Sequence, residues 1–120
     1  QRRANFSFYK AIFGQVPGVK FQEESEGAFS NYWLTAILID PEQAGFSNES
    51  LRLALEKENI ESRPLWKPMH LQPVYKDCTY MGNQVAESLF AQGLCLPSGS
   101  NLSPQDKARI KEAILSHISQ

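Results

Sequence analysis

The sequence lacks the charge imbalance that is typical of proteins that bind nucleic acids or anionic membranes. Its 12 basic and 13 acidic residues leave a formal net charge of −1, whereas surfaces that bind phosphate-rich partners carry a basic excess. No apolar run approaches the ~20 residues that a membrane-spanning helix needs, and no signal peptide is visible. We therefore expect no nucleic-acid partner, no membrane partner and a cytoplasmic location.

Cysteine and histidine are also scarce, which restricts the chemistry open to the chain. Cys78 and Cys95 form no metal-binding or CxxC motif and are expected to be free thiols, with Cys95 in the core. The histidines are His70 and His117, and neither paired carboxylates nor a glycine-rich phosphate loop accompanies them. The residues therefore predict no catalytic residue, no metal site and no cofactor-binding residue.

The chain instead alternates between helical and strand patterns over the length of one domain. Helices are predicted to end at Gly14, to begin after Ser47, to run from about 84 to 92 and to begin at Pro104, and strands are predicted at 19–21, 32–39, 61–65 and 94–96. Long crossings between strands through helices favour an α+β fold. We expect a two-layer sandwich in which helices pack on a small, mainly antiparallel sheet.

Three predictions concern the ends of the chain. Ser103, Pro104 and Asp106 have the order of an N-cap, a first helical residue and a capping-box partner, so they predict the start of the last helix. His117 falls in the final turn of that helix, where an imidazolium would suit the helix dipole, and is expected at the surface. Arg2 and Arg3 are expected to be solvated.

The most informative stretch is residues 63–75, which we call the proline-rich loop. It holds three prolines together with Trp66, His70, Tyr75 and two cations. Because proline fixes φ and removes a backbone donor, this stretch is neither a regular helix nor a central strand. A rigid extended loop that carries aromatic, cationic and imidazole groups is suited to face a ligand.

The residues of the loop admit more than one interpretation. Arg63 could bind a phosphate or carboxylate through two hydrogen bonds, or it could form a structural ion pair with Glu61 or Glu58. Trp66 could pack on the sheet edge or present its ring face to a base or sugar. His70 is the better functional candidate of the two histidines, although a lone histidine is often a satisfied polar group.

Two blocks of this sequence resemble the C-terminal portion of DegT/DnrJ-type sugar aminotransferases. They are residues 61–73 (ESRPLWKPMHLQP) and residues 93–102 (GLCLPSGSNL), with a helix containing Leu89-Phe90 between them. Arg2-Arg3-Ala4-Asn5, followed by Tyr9, is similar to the family's helix just after its large domain. The resemblance covers essentially the whole chain and implies that residues 1–120 are a single C-terminal small domain, with the large cofactor-binding domain outside the chain.

The resemblance implies a function for the complete protein. The family consists of homodimeric pyridoxal 5'-phosphate enzymes of the aspartate-aminotransferase fold, and the match favours those that aminate the 4-keto group of a UDP-linked deoxy sugar. Glutamate is the implied amino donor, and surface polysaccharide or glycan biosynthesis is the implied pathway. The partners are then the chain's own large domain, the homodimer mate and these two substrates.

The family's reactive lysine is not found here. It lies in the large domain, in a Ser-x-x-Lys block followed by a glycine-rich stretch. Ser7-Phe8-Tyr9-Lys10 matches the four letters but lies within a helix that no glycine-rich stretch follows. The chain alone is therefore expected to bind no pyridoxal phosphate and to be inactive, and its role is to close one wall of the site. Arg63, Trp66, Met69 and His70 are the residues we expect against the nucleotide sugar.

Two alternatives remain open from the sequence. One is a stand-alone α+β binding or regulatory module whose proline-rich loop contacts a protein. The other is part of a related pyridoxal phosphate-dependent sugar dehydratase, in which a histidine replaces the reactive lysine. Gln1 in place of an initiator methionine, and a helix already in progress there, favour a piece of a longer enzyme.

Overall fold

The computed structural model describes residues 1–119, which form five helices and four strands. The helices are α1 (Arg2–Phe13), α2 (Pro41–Ala44), α3 (Asn48–Lys57), α4 (Val85–Gln92) and α5 (Pro104–Ile118). The strands are β1 (Val19–Phe21), β2 (Thr35–Ile39), β3 (Arg63–Pro64) and β4 (Gly93–Leu96). This is the predicted element order with the short helix α2 added.

The four strands form one antiparallel sheet in the order β1-β2-β4-β3. Thr35 is paired with Leu96, and Ile37 with Leu94. Because directly opposed residues share a face of the sheet, these side chains all point into the core, where they are buried. The strand order places β2 between β1 and β4, in the interior of the sheet.

The helical layer covers one face of this sheet and supplies most of the core. Residues from α1, α3 and α5 form one cluster with the strands, namely Tyr9, Phe13, Ile37, Ile39, Leu51, Leu55, Ile60, Leu94, Leu96, Ile110 and Ile114. Burial of an aliphatic or aromatic side chain contributes roughly 1.5–3 kcal/mol each, so this cluster is the main source of stability. The predicted α+β sandwich with a small antiparallel sheet is confirmed.

The predicted strand at 32–39 is three residues too long at its start, because β2 begins at Thr35. Ser30 Oγ accepts a hydrogen bond from the Tyr32 backbone, and Asn31 Oδ1 accepts one from the Trp33 backbone. These short polar side chains favour a turn over a ladder. Tyr32 has a φ of 46° and stacks on Phe6 at 3.9 Å.

Two other elements differ from prediction for local reasons. The strand predicted at 61–65 is reduced to Arg63–Pro64, since Pro64 has no N–H to continue the ladder at this sheet edge. The chain turns into helix α2 directly after β2, because Asp40 accepts a hydrogen bond from the Glu42 N–H and caps it. Both changes leave the order of the predicted elements intact.

The start of α5 is as predicted. Ser103 Oγ accepts from the Asp106 N–H at 3.1 Å, and Asp106 accepts from the Ser103 N–H at 2.9 Å. This is a capping box in which Asp takes the place usually held by Glu or Gln. The Ser103 hydroxyl also donates to the Asp106 carboxylate at 2.7 Å, and this bond, followed by the one from the Ser103 N–H, lowers the pKa of Asp106.

A buried polar network joins α1 to the segment that leaves β4. The Tyr9 hydroxyl donates to the Pro97 carbonyl at 2.7 Å, and the Asn5 amide donates to the Gly99 carbonyl at 2.9 Å. Ser98 Oγ accepts from the Thr35 N–H at 2.8 Å. Since buried polar groups are costly when unpaired, these bonds fix the end of β4 relative to α1 and β2.

His117 differs from its predicted state. Its ring is half-buried, with Nε2 3.1 Å from Ser50 Oγ and an edge-to-face contact with Phe46. Desolvation is the largest cause that lowers its pKa, and the nearby Lys57 charge adds to it. The fold therefore favours the neutral imidazole, and His117 is less exposed than the surface position expected for it.

We predict that this histidine makes stability depend on pH. Because its pKa is lower in the folded chain than in the unfolded chain, protonation favours unfolding. Its stabilising effect is complete above the ordinary pKa of about 6.5 and is lost as the pH falls below that value. Denaturant unfolding at about pH 7.5 and pH 5.5 should show a smaller loss of stability for His117→Gln than for the wild type.

The chosen range avoids the carboxylates whose pKa is lowered in the fold, because they lose their contribution only below their ordinary range near 4.5. An equal loss of stability in wild type and His117→Gln between these two pH values would contradict the role assigned to His117.

Candidate functional site

A groove of about 680 Å³ lies beside the β3 edge of the sheet. We call it the tryptophan groove, because Trp33 and Trp66 both line it. Its other lining residues are Leu34, Glu61, Ser62, Arg63, Pro64, Leu65, Lys67, Phe90, Cys95, Leu96, Pro97 and Ser98. An apolar groove with a few charged and hydroxyl groups is typical of sites for small organic ligands.

The sheet register places the groove on the face opposite the main core. Arg63 is paired with Cys95, and Cys95 with Ala36, so these three side chains share that face. Cys95 is buried, as predicted, and burial raises the pKa of its thiol. It therefore acts as a wall of the groove, and its thiol is kept protonated.

Two arginines of α1 hold the segment that carries Trp33. Arg3 binds Glu24 through both guanidinium nitrogens at 2.9 and 3.0 Å and also donates to the Ser30 carbonyl. Its guanidinium lies over the Phe29 ring, 4.4 Å from the centroid. Arg2 donates to the Trp33 carbonyl. The prediction that these arginines are simply solvated is therefore wrong.

The pKa of Glu24 supports the ion pair that attaches this segment to α1. The Arg3 side chain, followed by the Ser30 N–H, lowers the pKa of Glu24 to about 2. A carboxylate with two such donors stays ionised throughout the neutral range. The bidentate pair therefore persists at neutral pH and fixes the turn from which Trp33, 60% exposed, reaches the groove.

The proline-rich loop forms the side of the tryptophan groove opposite Trp33 and is held in place by hydrogen bonds of its own backbone. It contains two successive 3-10 turns, Met69–Leu71 and Pro73–Tyr75. The Leu71 and Gln72 N–H groups donate to the carbonyls of Pro68 and Met69. The loop is thus a folded wall, in agreement with the rigidity that its prolines predict.

His70 lies in the first of these turns and is tied to α4. Its Nε2 is 2.7 Å from Glu87 Oε1, and its ring stacks on Tyr80 with centroids 3.7 Å apart. The side chain of His70 is 19% exposed. The bond to Glu87 makes His70 a satisfied polar group, which is the alternative that the sequence left open, and its contact with a ligand stays a prediction.

The four predicted site residues are only partly brought together. Arg63 and Trp66 line the tryptophan groove, whereas Met69 and His70 are placed in the adjoining turn. Arg63 forms the alternative ion pair with Glu61, with Nε 2.7 Å from Oε1, and both side chains are exposed. Such a pair contributes little to stability, so the guanidinium remains accessible to an anion.

Sequence reasoning missed three residues that shape this region. Trp33 was assigned to a buried strand, although Asn31 just before it is a turn former. Phe90 lines the groove from α4, and Glu87 on the same helix reaches His70 across the intervening loop. The helical spacing of three between Glu87 and Phe90 places them on one face of α4, but only the fold shows what that face meets.

Pyridoxal phosphate is the cofactor implied for the complete protein, and none of the lysines among residues 1–119 is buried. That cofactor requires a lysine amine held close to its aldehyde, usually in an enclosed pocket. Among residues 1–119 the lysines are exposed, except for Lys107, which is half-buried over the Phe8 ring. Lys67 lines the groove but is itself exposed. No step through the cofactor is therefore assigned to this chain.

The same part of the chain shows no group of three or more histidine, cysteine or carboxylate residues that could hold a metal ion. Within residues 1–119, no helix has both the length and the apolar character required to cross a membrane. Cys78 and Cys95 are free, as predicted, with Cys78 exposed and Cys95 buried.

Comparison with known proteins gives a consistent result. The model of the DegT/DnrJ/EryC1/StrS aminotransferase family matches residues 1–115. EpsN of Bacillus subtilis (strain 168), whose name describes a pyridoxal phosphate-dependent aminotransferase, is 40% identical over 119 residues, which cover 96% of this chain and 30% of EpsN. GDP-perosamine synthase of Escherichia coli O157:H7 is 34% identical over 96 residues, 80% of this chain and 25% of that protein.

Solved structures agree with this match. An aminotransferase from Brucella abortus is similar over 99% of this chain and 31% of its own, with a TM-score of 0.78 and 28% identity. The structure of DesI in the presence of its TDP-sugar product has a TM-score of 0.83 at 21% identity, over 99% of this chain and 31% of that one. The chain thus spans about 30% of the length of the relatives it matches.

Large apolar side chains are exposed around the groove and along the loop that follows it. They include Phe29, Trp33, Trp66, Met69, Val74 and Met81, with Trp66 at 71% and Met81 at 91% exposure. Groups of large exposed apolar side chains are typical of interaction surfaces. This agrees with the expectation that the chain packs against further protein.

We predict that the purified chain binds an apolar fluorescent dye at this surface. The double substitution Trp33→Ser and Trp66→Ser should remove most of the dye fluorescence, because it removes the two largest apolar side chains of the groove. Leu53→Ser, an exposed leucine on α3, is the control and should leave the signal unchanged. Absence of dye binding by the wild type would contradict the assignment of an interaction surface.

Proposed function

The chain belongs to the DegT/DnrJ/EryC1/StrS aminotransferase family, and from this premise we propose that it is the C-terminal domain of a pyridoxal phosphate-dependent aminotransferase. The complete enzyme would aminate the 4-keto group of a nucleotide-linked deoxy sugar, with UDP as the nucleotide and glutamate as the amino donor. The product would enter surface polysaccharide or glycan biosynthesis. The observation that carries this proposal is the continuous family match over residues 1–115.

The names of the relatives support a sugar nucleotide as substrate. One similar protein is named for GDP-perosamine, and one similar structure was obtained with a TDP-sugar product. A nucleotide sugar combines a planar base, a charged diphosphate and a hydroxylated ring. A site that binds this substrate class therefore needs aromatic, cationic and hydrogen-bonding groups close together.

The tryptophan groove and the proline-rich loop supply such groups. Trp33 and Trp66 offer exposed ring faces for stacking. Arg63 and Lys67 at the groove carry charges that suit phosphate oxygens. Ser62 and Ser98 also line the groove and add hydroxyl-bearing residues to it.

The proposal divides the reaction between this chain and a large domain. When bound, pyridoxal phosphate supplies the electron sink for amino transfer, and the proposal places it on a large domain together with the reactive lysine. This chain would bind and orient the sugar nucleotide, exclude water with its apolar wall and contact the large domain and the homodimer mate. It would carry no catalytic residue and would be inactive alone.

We predict that the complete enzyme forms an amino sugar from a UDP-linked 4-keto deoxy sugar and glutamate, as detected by mass spectrometry. The same reaction with GDP- and TDP-linked substrates tests the nucleotide, and UDP should give the highest kcat/KM. No amino sugar from any of the three would refute the aminotransferase proposal, and a dehydrated sugar in its place would indicate the dehydratase alternative.

In the same enzyme, His70→Ala should raise the KM for the sugar about tenfold, as expected for loss of one hydrogen bond to a charged or polar ligand. The KM for glutamate should change much less, because glutamate does not need the proline-rich loop. Glu112→Ala, an exposed substitution on α5, serves as the control. Equal effects on both KM values would contradict the assignment of His70 to the sugar site.

A further inference from the structure

The environment of His70 contains two residues to which no role has yet been given. Glu87, in the first turn of α4, lies with Oε1 2.7 Å from His70 Nε2. Tyr80 stacks on the imidazole with ring centroids 3.7 Å apart and planes at 19°. The side chains of His70 and Glu87 are 19% and 32% exposed, so the hydrogen bond between them is partly buried.

The two contacts constrain the imidazole in different ways. Stacking on Tyr80 fixes the plane of the ring, while the bond to Glu87 fixes the rotation within that plane. Since a carboxylate only accepts hydrogen bonds, Nε2 carries the hydrogen. The opposite edge of the ring presents Nδ1, which has no hydrogen-bond partner within residues 1–119.

We propose that Glu87 and Tyr80 are positioning residues that hold His70 so that its Nδ1 faces the nucleotide sugar. This inference rests on the proposed function, because it requires His70 to contact that substrate. A ring fixed in advance loses less conformational freedom on binding than a mobile one, so the two contacts raise affinity without touching the ligand. Neither Glu87 nor Tyr80 is a catalytic residue.

The arrangement also explains how α4 takes part in the site. The helix places Phe90 in the tryptophan groove and Glu87 on His70, three residues apart on one face. One rigid element thus sets the position of a groove wall and of the histidine in the proline-rich loop. Loss of the Glu87 carboxylate should free His70 while Phe90 stays in place.

A first experiment measures the hydrogen bond itself and needs no substrate. In proton–nitrogen spectra of the chain, the His70 Nε2–H should be protected from exchange with water. The signal is assigned by its loss in His70→Gln, and the His117 signal by its loss in His117→Gln. Glu87→Ala should abolish the protected His70 signal, whereas Glu112→Ala should retain it. An unprotected His70 N–H in the wild type, or a signal unchanged by Glu87→Ala, would overturn the proposal.

A second experiment tests the consequence in the complete enzyme. Glu87→Ala should raise the KM for the sugar nucleotide about tenfold, the size expected for one charge-assisted hydrogen bond, with little change in the KM for glutamate. Glu87→Gln keeps an acceptor oxygen at the same reach and should stay within about twofold of the wild type. Equal behaviour of the Ala and Gln variants would show that the acceptor is not what matters, and would contradict the proposal.

A double-mutant cycle separates positioning from a general effect on folding. If Glu87 acts only through His70, the double variant His70→Ala, Glu87→Ala should be no worse than His70→Ala alone. Additive effects would overturn the positioning role. If His70→Ala itself leaves the sugar KM unchanged, the sugar contact assigned under the proposed function fails. If His70→Ala raises it and Glu87→Ala does not, only the positioning inference fails.

Discussion

The pairing of β2 with β4 is the constraint on which the rest of the structure depends. These strands meet in the register that sets Thr35 opposite Leu96 and Ile37 opposite Leu94. A shift by one residue would turn the buried side chains to the opposite face, exposing the core cluster and filling the groove side with isoleucine and leucine. The register thus creates the packed face beneath α1, α3 and α5, and it leaves the other face free for Cys95, Arg63 and the tryptophan groove.

The two walls beside that face are held by different physical means. The Trp33 segment depends on ionic and aromatic contacts from α1, where Arg3 binds Glu24 bidentately and lies over Phe29. The proline-rich loop depends on restricted φ angles and on its own 3-10 hydrogen bonds. Both walls are therefore held by contacts within residues 1–119, which suits the proposed role of orienting a substrate and excluding water.

Local patterns predicted the elements of this fold well, and long-range contacts account for what they missed. Capping signals at Ser47 and Ser103 and the apolar runs of β2 and β4 are properties of a few adjacent residues, so the sequence reveals them. The bond between His70 and Glu87 joins residues 17 apart, and no periodicity indicates it. His117 was misjudged for the same reason, because Ser50 and Phe46 approach it only when α5 packs on α3.

The central claim is that this chain is a preformed wall of a site whose reactive lysine lies on another domain. The most direct measurement is to mix the purified chain with equimolar pyridoxal phosphate, reduce with borohydride and map any pyridoxyl group by mass spectrometry. The account predicts at most weak labelling spread over the exposed lysines, with no single site filled. Stoichiometric labelling of one lysine would contradict it, because the chain would then hold its own cofactor site.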